Sequence, residues 1–256
     1  IYARVATGFR APSVQGRLLF GDTLSVAKSE TVTSYEAGYK ADLMNRRARV
    51  AFNVFSYEIK DQQLTAVGGA ANFNSLVNAA KTTGNGAEFD LKLLPTDNLL
   101  LSLSGSLNKT KIKDPSLAVA PCGGGCTVTD PTIMRDGATL ALINGNPLPQ
   151  APETTLAFSA RYTMPLAGGE LYVLTDWTYR SEINFFLYES VEFTGKPLTE
   201  GGLRVGYSFG GGKYEAAAFV RNLTNQIRVV GGIDFNNLTG FINEPRTFGV
   251  SFKASF

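Results

Sequence analysis

The chain has 256 residues, of which 44% are hydrophobic and 18% are charged. This composition excludes an intrinsically disordered chain, which would contain fewer apolar residues and more charge. Lys and Arg exceed Asp and Glu by 24 to 22, so the net charge is only +2. The basic excess of a nucleic-acid-binding protein is missing, and we expect no nucleic-acid partner.

Histidine is absent from the sequence. Its absence removes Ser-His-Asp and Cys-His catalysis, the common zinc sites and His-ligated haem. The two cysteines are too few for a four-cysteine metal site. We therefore expect no enzyme, no catalytic residue, no metal and no other cofactor.

Segments that alternate apolar and polar residues recur along the chain, and this period of two predicts β-strands. In residues 98–108, for example, Leu99, Leu101 and Leu103 alternate with asparagine and serine. No apolar run approaches the roughly 20 residues of a membrane-spanning helix. In chain order, the ten predicted strands cover roughly 1–10, 28–42, 47–60, 76–94, 98–113, 149–164, 170–184, 198–209, 213–223 and 245–256.

The connections between these segments alternate between long and short along the whole chain. A transmembrane antiparallel up-and-down β-barrel has this regularity, because its periplasmic turns are short and its extracellular loops are long. Lipid offers no hydrogen bonds, so such a sheet must close on itself, with its apolar stripe toward lipid and its polar stripe toward the lumen. The long connections are 11–27, 61–75, 114–148, 185–197 and 224–244, and the short ones are 43–46, 95–97, 165–169 and 210–212.

Six stretches in order resemble the C-terminal half of a TonB-dependent outer-membrane receptor barrel. They are YARVATGFRAPS at 2–13, SYEAGYKADL at 34–43, NVFSYEIKDQQ at 53–63, NAAKTTGNGAEFDL at 78–91, VRNLTNQ at 220–226 and EPRTFGVSFKASF at 244–256. Each stretch is weak by itself, whereas the ordered series, ending in a terminal Phe, is fairly specific.

The resemblance implies that residues 1–256 supply the last ten strands of a barrel of about 22 strands with a plugged lumen. The plug domain, the TonB-contacting segment and the earlier strands are not recognised in this sequence. The implied function is TonB-dependent uptake of a ferric siderophore, a cobalamin-like molecule, an oligosaccharide or another small-molecule nutrient. The implied location is the bacterial outer membrane, crossed several times.

The resemblance also implies partners. These are the remainder of the barrel and the plug domain, the TonB complex through the plug, the barrel-assembly machinery, outer-membrane lipid and lipopolysaccharide, and the nutrient. A passive channel or structural barrel of ten strands stays open as an alternative, since small even-numbered barrels exist. An outer-membrane protease or phospholipase is disfavoured, because such active sites need a histidine.

Two loop features and the last strand supply the candidate site residues. Cys122 and Cys126 form C-G-G-G-C in the longest loop, and an oxidising compartment favours a disulfide between them. Under the resemblance, the alternating residues Phe248, Val250, Phe252 and Phe256 form the signal that the barrel-assembly machinery reads. The alternative is that these four residues only face lipid.

Residues that can contact a ligand lie in the predicted extracellular loops. Phe185, Phe186 and Tyr188 are neighbouring aromatics that can stack on a ligand ring if they are exposed. The guanidinium groups of Arg10, Arg17 and Arg135 can bind an anionic substrate by paired hydrogen bonds. The alternatives are an aromatic girdle or loop packing for the aromatics, and solvated or lipopolysaccharide-facing charge for the arginines.

Overall fold

The computed structural model describes residues 1–16, 23–69, 73–234 and 238–255. In these ranges the chain is all β, and no helix is long and apolar enough to span a membrane. The strands of the described residues are β1 (Tyr2–Arg10), β2 (Ser13–Gln15), β3 (Ser25–Ala27), β4 (Glu30–Leu43), β5 (Ala48–Gly68), β6 (Phe73–Thr96), β7 (Leu99–Ile112), β8 (Ala118–Val119), β9 (Thr132–Arg135), β10 (Ala138–Leu142), β11 (Thr154–Leu166), β12 (Gly169–Arg180), β13 (Ile183–Asn184), β14 (Thr194–Gly195), β15 (Leu198–Phe209), β16 (Tyr214–Arg221), β17 (Val229–Asp234), β18 (Leu238–Ile242) and β19 (Thr247–Ala254).

Ten of these strands form one antiparallel sheet, which we call the wall. Its order is β1-β4-β5-β6-β7-β11-β12-β15-β16-β19, so that each wall strand pairs with its neighbours in chain order. The prediction of ten antiparallel, up-and-down strands is confirmed. Within the described residues the wall is an open sheet that ends on β1 and β19.

The wall strands are joined by short turns at one end and by longer connections at the other, as the sequence predicts. One predicted long loop, 61–75, is wrong. Strand β5 continues to Gly68 and β6 begins at Phe73, so these two strands form a hairpin that projects beyond the rest of the wall. The extension is stable as a sheet because Leu64, Ala66 and Ala79 are buried against the neighbouring loops.

The register of the wall places its large apolar side chains on one face. Phe89 of β6 is opposite Phe52 of β5, and Phe158 of β11 lies between Leu103 of β7 and Trp177 of β12. This apolar face is exposed: the exposed fractions are 67% at Val5, 71% at Phe248 and 86% at Val250. The opposite, polar face carries the residues of the alternate parity, such as Ser104, Ser159 and Asp176.

The long connections pack on one another at one end of the wall and form a separate apolar cluster, the loop core. It receives side chains from the projecting β5–β6 hairpin, from residues 113–153 and from residues 181–197. The nine short strands that lie outside the wall in the described residues belong to these connections. The buried members of the loop core are Leu64, Ala66, Ala79, Ile112, Val119, Ala141, Ile143, Ile183, Phe185, Leu187, Tyr188 and Phe193.

The first long connection is attached to the projecting hairpin by two amide side chains. Gln63 Nε2 donates to the carbonyls of Ala11 (2.7 Å) and Lys28 (2.9 Å), and its Oε1 accepts a hydrogen bond from Ser13 Oγ. Asn78 Oδ1 accepts from the Lys28 amide at 2.7 Å. These bonds hold the β2–β3 segment against the hairpin.

Candidate functional site

The aromatic residues predicted as exposed ligand contacts belong largely to the loop core. Phe185 is 6% exposed and Tyr188 is 1% exposed, which agrees with the loop-packing alternative, and contact of these aromatics with a ligand stays a prediction. Phe186 stacks on Tyr188 (ring centroids 5.6 Å apart) and meets Phe193 edge-on (4.8 Å). The short β13–β14 pair turns these rings inward, where they replace contact with water by contact with one another.

A buried carboxylate joins three of the long connections. Asp234 of β17 is fully buried, and its Oδ2 accepts a hydrogen bond from the Tyr188 hydroxyl at 2.9 Å. Its Oδ1 accepts from the Gly123 amide at 3.2 Å. Burial raises the pKa of Asp234, and burial together with the Asp234 charge raises the pKa of the Tyr188 phenol. We call Asp234, Tyr188 and Gly123 the loop junction.

The Cys122–Cys126 disulfide forms part of the same region. Its three intervening glycines turn the chain and bring the Gly123 amide to Asp234. Cys122 also forms an isolated parallel β-bridge with Gly69 at the tip of the projecting hairpin. There, the Gly69 amide donates to the Pro121 carbonyl at 2.7 Å. The disulfide-closed turn therefore lies between the hairpin and the loop junction.

A second carboxylate connects the Cys-containing loop to residues 181–197. Asp130 accepts from Asn146 Nδ2 at 3.0 and 3.1 Å and from the Glu189 amide at 2.7 Å. Burial raises the pKa of Asp130. Burial and the neighbouring negative charge of Asp130 raise the pKa of Glu189. Asn146 also donates to the Leu187 carbonyl at 3.0 Å, so one amide fixes both sides of the contact.

The projecting hairpin is fixed by a third carboxylate. Asp114 is this carboxylate, and it accepts a hydrogen bond from the Ala80 amide of β6 at 2.9 Å. In the facing strand, β5, Asp61 has a positive φ of 52°. Burial by itself would raise the pKa of Asp114, but hydrogen bonds from Ala80, Ser116 and Leu117 outweigh it and lower the pKa.

The predicted arginines do not converge on one point that the structure describes. Arg10 lies 3.9 Å from Glu30 of the adjacent strand, and its side chain is 61% exposed. Arg135 donates to the Ser116 carbonyl at 3.4 Å, within its own loop. Arg17 lies outside the described residues. Their contact with a ligand stays a prediction.

The predicted assembly residues lie along the last wall strand. Phe248, Val250 and Phe252 are on the apolar face of β19, and Phe256 lies outside the described residues. Phe252 stacks on Tyr214 with ring centroids 6.2 Å apart. That ring begins a row of stacked aromatics at the short-turn end, which continues through Phe209 and Tyr207. The role of these residues as an assembly signal stays a prediction.

A groove on the polar face of the wall was missed by the sequence interpretation. It has a volume of about 630 Å³, and short side chains, including those of Ser104, Ser106 and Thr155, line its floor. Glu88 lies on one flank and Arg180 on the other. Arg180 is the last residue of β12, and its place beside the groove depends on cross-strand register, which sequence patterns do not give.

A polar cluster lies nearer the short-turn end of the same face. Arg204 donates to the Tyr172 hydroxyl and to Glu215, both at 2.8 Å, and to Ser251 at 2.9 Å. The Arg161 guanidinium stacks over the Tyr172 ring at 4.1 Å. This cluster joins β11, β12, β15, β16 and β19 through side chains as well as backbone.

Residues 1–223 match a family model described as TonB dependent receptor-like, β-barrel. Solved structures share the fold over almost the whole chain. The ferric yersiniabactin uptake receptor FyuA from Yersinia pestis is similar with a TM-score of 0.74 and 16% identity, over 99% of this chain and 34% of that one. The ferric-catecholate import receptor Fiu from Escherichia coli K12 gives 0.64 and 16%, over 99% and 33%.

The copper transporter OprC gives a TM-score of 0.68 and 15% identity, over 100% of this chain and 36% of that one. At these identities the likeness establishes the fold and not the cargo. The chain spans about a third of the length of each of these structures. Its wall therefore shares the fold of part of each of these structures.

Proposed function

Because the chain belongs to the TonB-dependent receptor-like β-barrel family, we propose that it supplies barrel wall and extracellular loops to an outer-membrane receptor for TonB-dependent nutrient uptake. The apolar face of the wall carries this proposal. It continues across ten strands and is too apolar to face water, whereas lipid is its natural solvent. The polar face then lines the lumen.

We propose that residues 1–256 are the C-terminal part of the barrel. Two observations support this: the outer edges of β1 and β19 have no partner strand among the described residues, and each similar structure is about three times as long. An open sheet edge in lipid leaves backbone groups without hydrogen bonds, so the rest of the barrel must cover both edges. A plug domain inside that barrel would contact TonB.

The cargo is proposed to be a small nutrient that the loops bind at the cell surface. Of the similar proteins, one is named for ferric yersiniabactin uptake, one for ferric-catecholate import and one for copper transport, which favours a metal complex as the first class to test. Cobalamin-like molecules and oligosaccharides are the next classes. Lipid, lipopolysaccharide and the barrel-assembly machinery complete the proposed set of partners.

Radiolabelled uptake in iron-limited cells that carry or lack the gene tests the proposal. The probes are the iron(III) complexes of enterobactin, ferrichrome and citrate, with cyanocobalamin and maltohexaose as the other two classes. We expect the gene to confer saturable accumulation of at least one probe. A protonophore should abolish accumulation and leave surface binding intact, because TonB draws on the proton gradient.

The passive-channel alternative gives a different result. Uptake through an open pore would rise in proportion to the external concentration and would persist with the protonophore. If the gene changed the accumulation of no probe, or changed it only in this passive way, the import proposal would be wrong.

A further inference from the structure

Charged residues occur at one place on the apolar face of the wall, within the residues that the structure describes. In β1, β4, β11, β12, β15, β16 and β19, every side chain with the parity of this face is uncharged. The exceptions belong to the long-loop ends of β5, β6 and β7, with one more lysine directly after β7. They are Glu58, Lys60, Lys81, Lys109, Lys111 and Lys113. We call these five lysines the lysine patch.

The pairing of the strands brings the lysine patch together across β5, β6 and β7. Lys60 lies opposite Lys81, and the Lys113 amide donates to the Lys81 carbonyl at 2.8 Å. These three lysines form the row farthest from the short turns. Lys111 and Lys109 follow toward the short turns along β7, so the patch is about 13 Å long and about 10 Å wide.

The side chains of the patch are accessible. Lys109, Lys111 and Lys113 are exposed, whereas Thr110 and Ile112 between them are buried on the opposite side of the strand. The lysine of β5 is exposed as well, and 41% of the side chain of the β6 lysine is exposed. A ligand can therefore reach all five lysines from outside the wall.

Acidic residues offset part of the charge of the patch. Glu58 pairs with Lys81 at 2.8 Å, and Glu153 lies 3.8 Å from Lys109. Asp61 is a third acidic neighbour, because it directly follows the lysine of β5. Five lysines against these three acidic residues leave a net positive charge on the patch.

The remaining lysines have no close partner. In the described ranges, no carboxylate oxygen lies within 4.0 Å of Lys60, Lys111 or Lys113. Glu58 attracts Lys60 and Lys113 from farther away, but it is already paired with Lys81. Like charges that lie opposite each other on two strands, as Lys60 and Lys81 do, are destabilising. An anion bound between them would relieve this repulsion.

The position of the patch determines what kind of anion it fits. Leu107 lies next to Lys109 on the same face of β7, and its row continues across the strands as Ala87 and Val54. The apolar face therefore begins directly where the patch ends. A soluble anion would cover the lysines and leave this row bare. A partner that covers both must carry negative charge at one end and hydrocarbon at the other.

Lipopolysaccharide has this chemistry. Its lipid A part carries a phosphate at each end of a disaccharide, and its acyl chains extend from the same disaccharide. The long connections lie on the cell-surface side of the proposed barrel, so the patch lies at the depth of these phosphates in the outer leaflet. The length of the patch, about 13 Å, is close to that of a disaccharide.

From these observations we infer that the lysine patch binds the phosphate groups of lipopolysaccharide in the outer leaflet. This inference rests on the proposed outer-membrane location, and it assigns the lipopolysaccharide partner to one site on β5, β6 and β7. Lys60, Lys111 and Lys113 bind the phosphates, and the acyl chains lie along the row of Leu107. Elsewhere on the described apolar face, lipid has no cationic group to bind.

Native mass spectrometry of the complete receptor, purified in detergent, measures the affinity for added lipids. The probes are diphosphoryl lipid A, monophosphoryl lipid A and phosphatidylglycerol. We expect diphosphoryl lipid A to bind most tightly, monophosphoryl lipid A less tightly and phosphatidylglycerol least, because the patch is long enough for two phosphates.

Paired substitutions test whether the patch carries this binding. Lys111→Gln combined with Lys113→Gln should weaken binding of diphosphoryl lipid A about tenfold. Lys40→Gln combined with Lys92→Gln is the matched control. It removes the same charge from the polar face of β4 and β6 and should change the affinity less than twofold.

A third variant should act in the opposite direction, which a general loss of folding cannot imitate. Glu58→Gln removes the carboxylate that holds Lys81 and leaves this ammonium free for a phosphate. We expect diphosphoryl lipid A to bind about threefold more tightly to this variant.

Three results would overturn the inference: diphosphoryl lipid A binding no better than phosphatidylglycerol, equal losses in the two paired variants, or weaker binding to Glu58→Gln. The uptake measurement is independent of these results. A receptor that accumulates a nutrient but fails the lipid tests keeps the import function and loses the lipopolysaccharide site. A receptor that passes the lipid tests and accumulates no nutrient keeps the site and loses the import function.

Discussion

Val250 in wall strand β19 is 86% exposed, whereas Val119 in loop strand β8 is 3% exposed. The two valines have the same chemistry and both lie in strands, yet one belongs to the surface and the other to a core. The wall places its apolar residues on an outer face, and the long connections place theirs toward one another. The proposed membrane location explains the difference by two solvents, with lipid around the wall and water around the loops.

The two regions also use polar groups differently. The wall satisfies its backbone through a continuous antiparallel ladder and carries ion pairs such as that of Arg204 and Glu215 on its polar face. The loop core has only short ladders. There, the buried carboxylates of Asp114 and Asp234 and the half-buried one of Asp130 accept hydrogen bonds from backbone amides of other segments. Loops of irregular conformation need such acceptors, because their amides have no strand partner.

Truncation in the loop core is expected to have the largest effect. Ile143 is fully buried, so Ile143→Ala should destabilise the loop core by about 2–5 kcal/mol through lost burial and a cavity. Hydrogen exchange measures this as faster exchange of the Leu187 and Gly123 amides, with the amides of β7 unchanged. The control is Leu156→Ala on the apolar face, which should leave loop exchange as it is. Equal acceleration in wall and loops would show that the two regions unfold together.

A charge on the apolar face is expected to have the next largest effect. Leu103→Arg should destabilise the wall by about 2–4 kcal/mol, because the guanidinium would face hydrocarbon. Ser102→Arg, the adjacent residue of β7 on the polar face, is the matched control and should be tolerated. Urea unfolding of the receptor in liposomes gives both values. Similar losses for the two variants would contradict the assignment of the apolar face to lipid.

The pH dependence of the loop junction is expected to be the smallest effect. Because burial raises the folded pKa of Asp234 above its ordinary value of 3.8, its contribution to stability is fully present below that value. That contribution is lost as pH rises through the folded pKa, so the loop core should be more protected in mild acid than at neutral pH.

Exchange of the Gly123 amide, corrected for the intrinsic pH dependence of exchange, measures this effect. Asp234→Asn removes the titrating group and should flatten the profile. Tyr188→Phe keeps the carboxylate but deletes one of its donors, and should steepen the loss at neutral pH. A wild-type profile that already matches Asp234→Asn would show that Asp234 does not control the junction.

The sequence alone determined the strands of the wall and the direction in which their side chains point. A period of two is a local property, so Leu99, Leu101 and Leu103 place their side chains on one face whatever the strands pair with. The alternation of long and short connections likewise determined the up-and-down order. The resemblance of six ordered stretches pointed to the family that residues 1–223 match.

Only the tertiary structure decided what lies beyond the wall. Residues 61–68 were predicted as loop, and their pairing with β6 is stable because Leu64 and Ala66 are covered by residues distant in sequence. Phe185 and Tyr188 look like an exposed aromatic group in the sequence, yet they are buried because three connections converge on them. Arg180 gained its place beside the groove from cross-strand register. Each of these outcomes depends on contacts between distant segments, which local periodicity does not encode.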